Sequence, residues 1–518
     1  MADIAKGVRS FTIGTAISRV MGLVRESVFA YLYGAGTSTD AFNAAFRIPN
    51  LLRDLFAENA LSAAFVPVLT AQKKKGKDAE SLFASNILNT LLIIVGAVSL
   101  AGIFLSPALA RFIAFGFSNV PGKIALTGKL TAVMFPILLF IALAAWAMSF
   151  LNTEGDFFIP SLAPAFFNVF SILTPIALFV YFTKKGVNPI YGMALGVTVG
   201  GLMQLLVQVP RLFKKGFRYS LYLNFKDPEF RRVLALFLPV AIGLSASRIN
   251  IFVNTQLVST LEERSLTWLN YAFRIQHLPL GLFGIAVGTV ALPAFSRFAA
   301  EGNAEEMRRT LFDSLKMVLF LTIPTSAVIA FLARPLTGLI YEHGRFRASD
   351  TAATAAILVL YMIGVPFISA LRNVAGVFYA YKDARSPMLA SFASVGMNIV
   401  LNLSLMRVLG CLAFPLSATI AAFINILILY FLLPKKIGRF DSGPLAIYFG
   451  RLTGASVLGG AAGYAVFRVL ASVLAPTFLL KLANVCLSGG AALIVFYVVC
   501  RLLGAREVRA YVKRFTGI

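Results

Sequence analysis

The chain is poor in the residues that carry most enzyme chemistry. Two histidines, His277 and His343, stand among 518 residues, and the three cysteines, Cys411, Cys486 and Cys500, share no metal-ligand spacing. The sequence has no HExxH run, no catalytic Cys and His pairing and no Gly-rich phosphate loop followed by Lys. These absences exclude zinc proteolysis, thiol catalysis and ATP hydrolysis by the chain itself, so no catalytic residue, metal or cofactor is expected. The cysteines read as small core residues. Charge is scarce as well: 13% of residues are charged, where a soluble domain has roughly a quarter. What charge there is has mostly one sign, 47 Lys and Arg against 22 Asp and Glu, for a net charge of +25.

What remains is apolar. The chain is 58% hydrophobic, with a mean hydropathy of +0.82. Stretches of about 20 apolar residues recur about fourteen times between residues 8 and 503. The expected fold is therefore an all-α integral membrane protein. The excess of cations is an orientation signal rather than a nucleic-acid footprint. Lys73, Lys74, Lys75 and Lys77, the segment from Arg211 to Arg232, Arg308 with Arg309, Lys435 with Lys436 and Arg439, and Arg506 to Arg514 all fall on one side if the helices alternate. By the positive-inside rule that side is the cytoplasm, and both termini lie there. The first residues are too short and polar for a cleavable signal, so the first helix is expected to stay.

A short pattern occurs twice. Ile13 to Val20 recurs as Ile242 to Ile249 at an offset of 229 residues, and Asn43 to Ile48 recurs as Asn270 to Ile275 at an offset of 227. Two segments that slide together as one unit indicate an internal duplication. It pairs helices one and two with seven and eight. Six helices is an even number, so the repeats are parallel, with a polar site expected near the midplane between them. The expected organisation is an N-terminal lobe at 1–212, a basic connector at 213–230 lying at the lipid surface, a C-terminal lobe at 231–436, and two further helices with a basic tail at 437–518.

Ionisable residues inside the spans concentrate in the first hairpin of each repeat: Arg19, Arg25, Glu26, Asp40, Arg47, Arg53, Asp54, Glu58, Arg248, Arg274 and His277. Intramembrane charge is costly and is found facing a bundle interior or a watery cavity. Asp40, Arg47 and Asp54 are spaced by seven and share a helix face that Glu58 continues, which suggests internal pairing. Arg19 and Glu26 are also seven apart. Arg25, Arg53 and Arg274 have no carboxylate one or two turns away on their own face. Planar guanidinium groups bind phosphate oxygens bidentately, so these three are the candidate anion ligands. Arg47 and Arg248 recur within the duplicated motif and are read as packing residues.

Ser18-Arg19-Val20-Met21-Gly22-Leu23-Val24-Arg25-Glu26, Gly34-Ala35-Gly36 with Thr39-Asp40-Ala41-Phe42, Ile48-Pro49-Asn50-Leu51-Leu52-Arg53, and Phe56-Ala57-Glu58 together resemble the MurJ (MviN) family of lipid II flippases. These are members of the multidrug/oligosaccharidyl-lipid/polysaccharide exporter superfamily. The resemblance implies fourteen transmembrane helices in two six-helix lobes around a central cationic cavity, with a groove formed by the last two helices. It implies a substrate, undecaprenyl-diphosphate-linked MurNAc-pentapeptide-GlcNAc, moved across the bacterial inner membrane for peptidoglycan synthesis. It places cavity arginines at Arg19, Arg25, Arg53 and Arg274 and a functional acid at Asp40, with Glu26 and Glu58 as further charge-pairing or gating acids. Partners so implied are lipid II, membrane lipids and cell-wall synthesis proteins, with no nucleic acid. In the eighth helix the sequence departs from the family pattern, with Phe273 and His277 standing in place of acids. The alternatives are an exporter of another polyprenyl-diphosphate-linked oligosaccharide and a membrane-embedded glycosyltransferase. The second is disfavoured because every loop on the side opposite the basic ones is short.

Overall fold

The computed structural model describes the backbone of residues 2–57, 60–439, 441–473, 477–504 and 508, and the side chains of these apart from 2–13, 54–57, 60, 63 and 238–248. Helices account for nearly all of it, in the order α1 (Ala2–Tyr33), α2 (Thr37–Ala57), α3 (Ala60–Lys73), α4 (Lys77–Phe104), α5 (Ser106–Ile113), α6 (Lys123–Met134), α7 (Ile137–Thr153), α8 (Phe158–Lys184), α9 (Ile190–Leu206), α10 (Val209–Lys214) and α11 (Pro228–Val258). Then follow α12 (Ser265–Pro279), a π turn at Leu280–Gly284, α13 (Ile285–Glu301), α14 (Ala304–Phe331), α15 (Ala333–Tyr341), α16 (Ala348–Ala380), α17 (Arg385–Leu409), α18 (Ala413–Leu432), α19 (Pro434–Ile437), α20 (Gly443–Val473) and α21 (Phe478–Leu502). Among the described residues, ten helical stretches are long and apolar enough to cross a membrane, one of them holding both α17 and α18. Together with α1, α2 followed by α3, and α11, they account for the spans expected from sequence. The chain is a multi-pass membrane protein.

Helix ends follow local chemistry. Asp227 caps α11 by accepting from Glu229 N at 2.9 Å, with Pro228 at the first helical position, where its missing N–H is no loss. Asn303 caps α14 by accepting from Glu306 N at 3.0 Å. At the end that carries the basic loops, Glu154 follows α7 and meets Lys73 of α3 at 2.6 Å and Lys77 of α4 at 2.9 Å. Burial alone would raise the Glu154 pKa; the two ammonium groups outweigh it and hold the carboxyl below its ordinary value. Between α16 and α17, Asp383 pairs with Lys436 at 2.9 Å and accepts from Ser386, which lowers its pKa to about 2.

By contacts the described residues form two compact units, Met1–Thr267 with Gly344–Phe346, and Trp268–His343 with Arg347–Ile518. In the first, α8 packs on α1 and α9, α7 on α2, α4 and α9, and α11 on α3 and α2. In the second, α16 packs on α13, α14 and α18, α17 on α18, and α20 on α14 and α21. The duplication is a division of the sequence; the contact boundary falls later because α11 lies among the first unit's helices. Among the ten apolar stretches, the most enclosed one of each unit occupies the same place in its repeat. The apolar window of α6–α7 is 72% buried and that of α16 is 61%, whereas α20 and α21 bury 22% each. The last two helices are thus peripheral. They meet through Gly459 and Gly463, where an added Cβ would run into Ala492 and Ser488, the close backbone approach that small residues permit in lipid.

The segment after α10 is extended and stitched to α4. Arg218 N donates to Ser81 Oγ at 3.2 Å, Ser220 N to Ser85 Oγ at 3.1 Å, Asn224 N to Asn86 Oδ1 at 2.8 Å, and Asn89 Nδ2 to the Ser220 and Tyr222 carbonyls at 3.0 and 2.9 Å. Side chains thereby satisfy a strand that has no sheet. Leu221, Leu223 and Phe225 alternate outward, with Leu221 91% exposed. Not all three cysteines are core residues. Cys500 is buried and Cys411 partly so, but Cys486 is exposed, because it faces outward from peripheral α21.

Candidate substrate site

On α1 the charges divide by face. Ser18 lies against α8, its carbonyl accepting from Asn168 Nδ2 at 3.1 Å. Two turns on, Arg25 sits with its guanidinium carbon 5.4 Å from the Phe167 ring centre. Arg25 donates to Glu26 Oε1 at 2.6 Å, and both residues are buried. This corrects the expectation that Arg25 lacks an acidic neighbour and that Glu26 belongs with Arg19. Adjacent residues point about 100° apart on a helix, but long side chains in a crowded, poorly solvated interface close that gap. Arg19, two turns before Glu26, is exposed.

A buried polar node surrounds Asp40, in the first turn of α2. Its carboxylate is 1% exposed. Oδ2 meets Lys123 Nζ of α6 at 3.1 Å and accepts from Arg264 N at 2.7 Å; Oδ1 accepts from Thr267 N at 3.1 Å and Thr267 Oγ1 at 2.6 Å. Lys123 is equally buried and stands 4.0 Å from the Phe117 ring centre. A buried charge is tolerable when its lone pairs are filled and its partner is close, and here both conditions hold. The node joins the starts of α2 and α6 and the turn after α11. That turn needs positive φ at Arg264, 79°, a residue whose backbone N–H is spent on Asp40. Beside it, Gly34 and Gly344 both adopt positive φ. Arg345 N donates to Tyr31 O at 3.0 Å, and an added Cβ at Gly344 would strike Tyr31 O.

Further along α2, Pro49 lies within the continuous helix, and Arg47 and Arg53 are half-buried. Glu58 lies outside the described residues, and Asp54 and Arg248 lie on helices where their side chains are outside them. In the second unit, Arg274 is exposed on α12. The His277 ring packs 4.1 Å from that of Phe273, with Nδ1 3.0 Å from the Phe273 carbonyl oxygen. The π turn begins three residues later. Such turns widen a helix and are frequent at functional sites.

A counterpart of the Asp40 node closes the same junction in the second unit. Trp268 Nε1, at the start of α12, donates to Asp350 Oδ1 at 3.0 Å, at the start of α16, and Asp350 Oδ2 accepts from Arg347 N at 3.0 Å. Lys123 and Asp350 are 227 residues apart, the separation of Asn43 and Asn270. Sequence reasoning passed over Lys123, Trp268 and Asp350 because each stands alone at the mouth of an apolar span. The repeat offset was the signal that links them.

The chain matches a family model described as "Lipid II flippase MurJ" over residues 29–484. A probable lipid II flippase MurJ of Vibrio cholerae serotype O1 is 36% identical over 425 residues, covering 80% of each chain. The lipid II flippase MurJ of Burkholderia cenocepacia is 33% identical over 450 residues, covering 86% of each. Among solved structures, one described as "Lipid II flippase MurJ, inward closed conformation" superposes with a TM-score of 0.75 at 28% identity, over 95% of this chain and 99% of that one. An inward-facing multidrug transporter of the MOP superfamily superposes with a TM-score of 0.68 at 14% identity, over 83% and 98%, which bears on the fold alone.

Proposed function

The chain belongs to the MurJ family of lipid II flippases, and from that membership we propose how its charged residues divide the work of moving lipid II. The substrate passes from the cytoplasmic to the outer leaflet of the bacterial inner membrane by alternating access, with the basic loops and both termini in the cytoplasm. Transport, with no bond made or broken by the chain, is its role. The substrate's polar part, a diphosphate bearing sugars and peptide, needs a wet cationic route, while its polyprenyl tail stays in lipid.

Arg19, Arg25, Arg53 and Arg274 bind the diphosphate. The observation that carries this is the exposure of Arg19 on α1 and Arg274 on α12, since charge within a membrane span is costly and marks a functional site. Glu26 acts as the resting counter-ion of Arg25. The diphosphate then competes with Glu26 for a guanidinium already held in position by Phe167. Asp40 fixes the turn after α11 over the start of α2, Glu58 serves charge pairing further along the second span, and Arg47 and Arg248 serve packing. Cell-wall synthesis proteins take up the product.

The test is depletion of the protein in a growing bacterium, followed by measurement of which lipid-linked precursor accumulates in the inner leaflet. Lipid II is expected to accumulate and to clear when the wild-type chain is restored. Accumulation of a different polyprenyl-linked glycan with normal lipid II distribution would overturn the substrate assignment.

A further inference from the structure

A cavity of about 330 Å³ lies in the second unit where α15 meets α20 and α21. That volume is at the lower end for ligand pockets, roughly 300–1,000 Å³. Two kinds of side chain line it. Arg334, in the first turn of α15, Glu342, just past its end, and Lys481, in the first turn of α21, supply charge; Tyr464, Phe467 and Leu480 supply the walls. None of these residues belongs to the arginine set on α1, α2 and α12.

Chain direction locates the cavity in depth. Helices α14 and α20 begin beside Arg308 and Arg309 and beside Lys435, Lys436 and Arg439, and α21 ends beside Arg501. The cavity is at the other end of all three, on the side opposite those basic loops. Its surroundings are lipid-facing. Val469, Val473, Phe478 and Leu479 of α20 and α21 are 65%, 77%, 55% and 74% exposed. A long basic side chain near a helix end ordinarily snorkels away from apolar surface into the headgroup region. Here two cations, from helices far apart in sequence, line one concavity, with a carboxylate beside them.

We propose that this cavity holds the headgroup of an aminophospholipid from the leaflet opposite the basic loops. The lipid phosphate, a monoanionic diester, is met by the Arg334 guanidinium and the Lys481 ammonium, and its primary amine is met by Glu342. A zwitterionic headgroup satisfies all three charges at once, whereas a purely anionic one leaves Glu342 facing a phosphate. The acyl chains lie along the exposed apolar faces of α20 and α21, fastening the two peripheral helices to α15.

The test uses the purified full chain and native mass spectrometry with dioleoyl phosphatidylethanolamine, phosphatidylglycerol, diacylglycerol and inorganic phosphate as separate probes. Wild-type protein is expected to retain phosphatidylethanolamine. Arg334→Gln with Lys481→Gln is expected to lower that retention about tenfold or more, the size of one lost charge-assisted contact. Arg334→Lys with Lys481→Arg is expected to keep it, which separates lost chemistry from lost folding. Glu342→Gln is expected to abolish the preference for phosphatidylethanolamine over phosphatidylglycerol while phosphate-bearing lipid still binds. Diacylglycerol is expected to bind no better than to the double glutamine variant. Equal retention by wild type and that variant overturns the site. Displacement of the lipid by millimolar inorganic phosphate reassigns it to a free anion, and an unchanged preference in Glu342→Gln removes the amine from the proposal.

Discussion

In the first unit the starts of α2 and α6 meet through a buried ion pair, Asp40 with Lys123; in the second, the starts of α12 and α16 meet through an indole donor and a carboxylate, Trp268 with Asp350. The carboxylate has changed sides. It stands on the second span of the first repeat and on the fourth span of the second. Duplication preserved the place where two helix ends must be joined, and the chemistry of the joint diverged. The difference has an energetic consequence. An ion pair sealed from solvent depends on both members, because either alone is an uncompensated buried charge. Trp268 Nε1 is one of several partners of Asp350, so removing the indole takes away only part of that carboxylate's support.

The largest expected effects lie in the arginines proposed to bind the diphosphate. Arg25→Ala, Arg53→Ala and Arg274→Ala are each expected to abolish complementation of a depleted strain at near-normal protein levels, since each charge-assisted contact contributes about 1.5–3 kcal/mol. Growth supported by all three would end the anion-site reading. Dependence on Arg25 and Arg53 alone would make the first repeat the only substrate-binding one. Arg47→Ala is expected instead to lower the amount of folded protein, and a stable but inactive Arg47→Ala protein would move that residue into the site.

Next in size is the ion pair itself. Lys123→Met leaves Asp40 buried without its cation and is expected to cost about 3–5 kcal/mol, read as a large drop in apparent melting temperature in detergent. Combining it with Asp40→Asn is expected to cost less than the sum of the two single changes. Strict additivity would mean that the pair is not coupled in solution. The second-unit counterpart sharpens the contrast. Trp268→Phe removes one donor from Asp350 and is expected to cost about 1–3 kcal/mol, so a loss as large as that of Lys123→Met would erase the distinction between the two joints.

The smallest effect is at Asp383. Its partly exposed pair with Lys436 contributes about 0.2–1 kcal/mol. Because the folded carboxyl titrates at about 2, below its unfolded value of about 3.9, this contribution is present above that value and is lost as pH falls toward 2. Asp383→Asn should flatten that part of the stability profile and leave neutral pH almost unchanged.

Much of the architecture could be read from the order of residues. Apolar length specified the spans, because an unpaired backbone cannot cross lipid except as a helix. The recurrence of Ile13 to Val20 and Asn43 to Ile48 exposed the duplication, and the clustering of charge in helices one, two, seven and eight marked the candidate site, because charge in a span is too costly to be scattered. Partners were beyond that reading. Helical periodicity relates residues that share a face, so it assigned Glu26 to Arg19 and left Arg25 alone, whereas Arg25 pairs with the adjacent Glu26 beside the Phe167 ring. It offered nothing for Asp40 beyond its own helix, and the residues that hold it, Lys123, Arg264 and Thr267, come from elsewhere in the chain. Composition and period determined which residues must be shielded from lipid. Only the tertiary structure decided what shields them, because in a medium without water a buried charge takes whichever partner the neighbouring helix ends bring within hydrogen-bond reach.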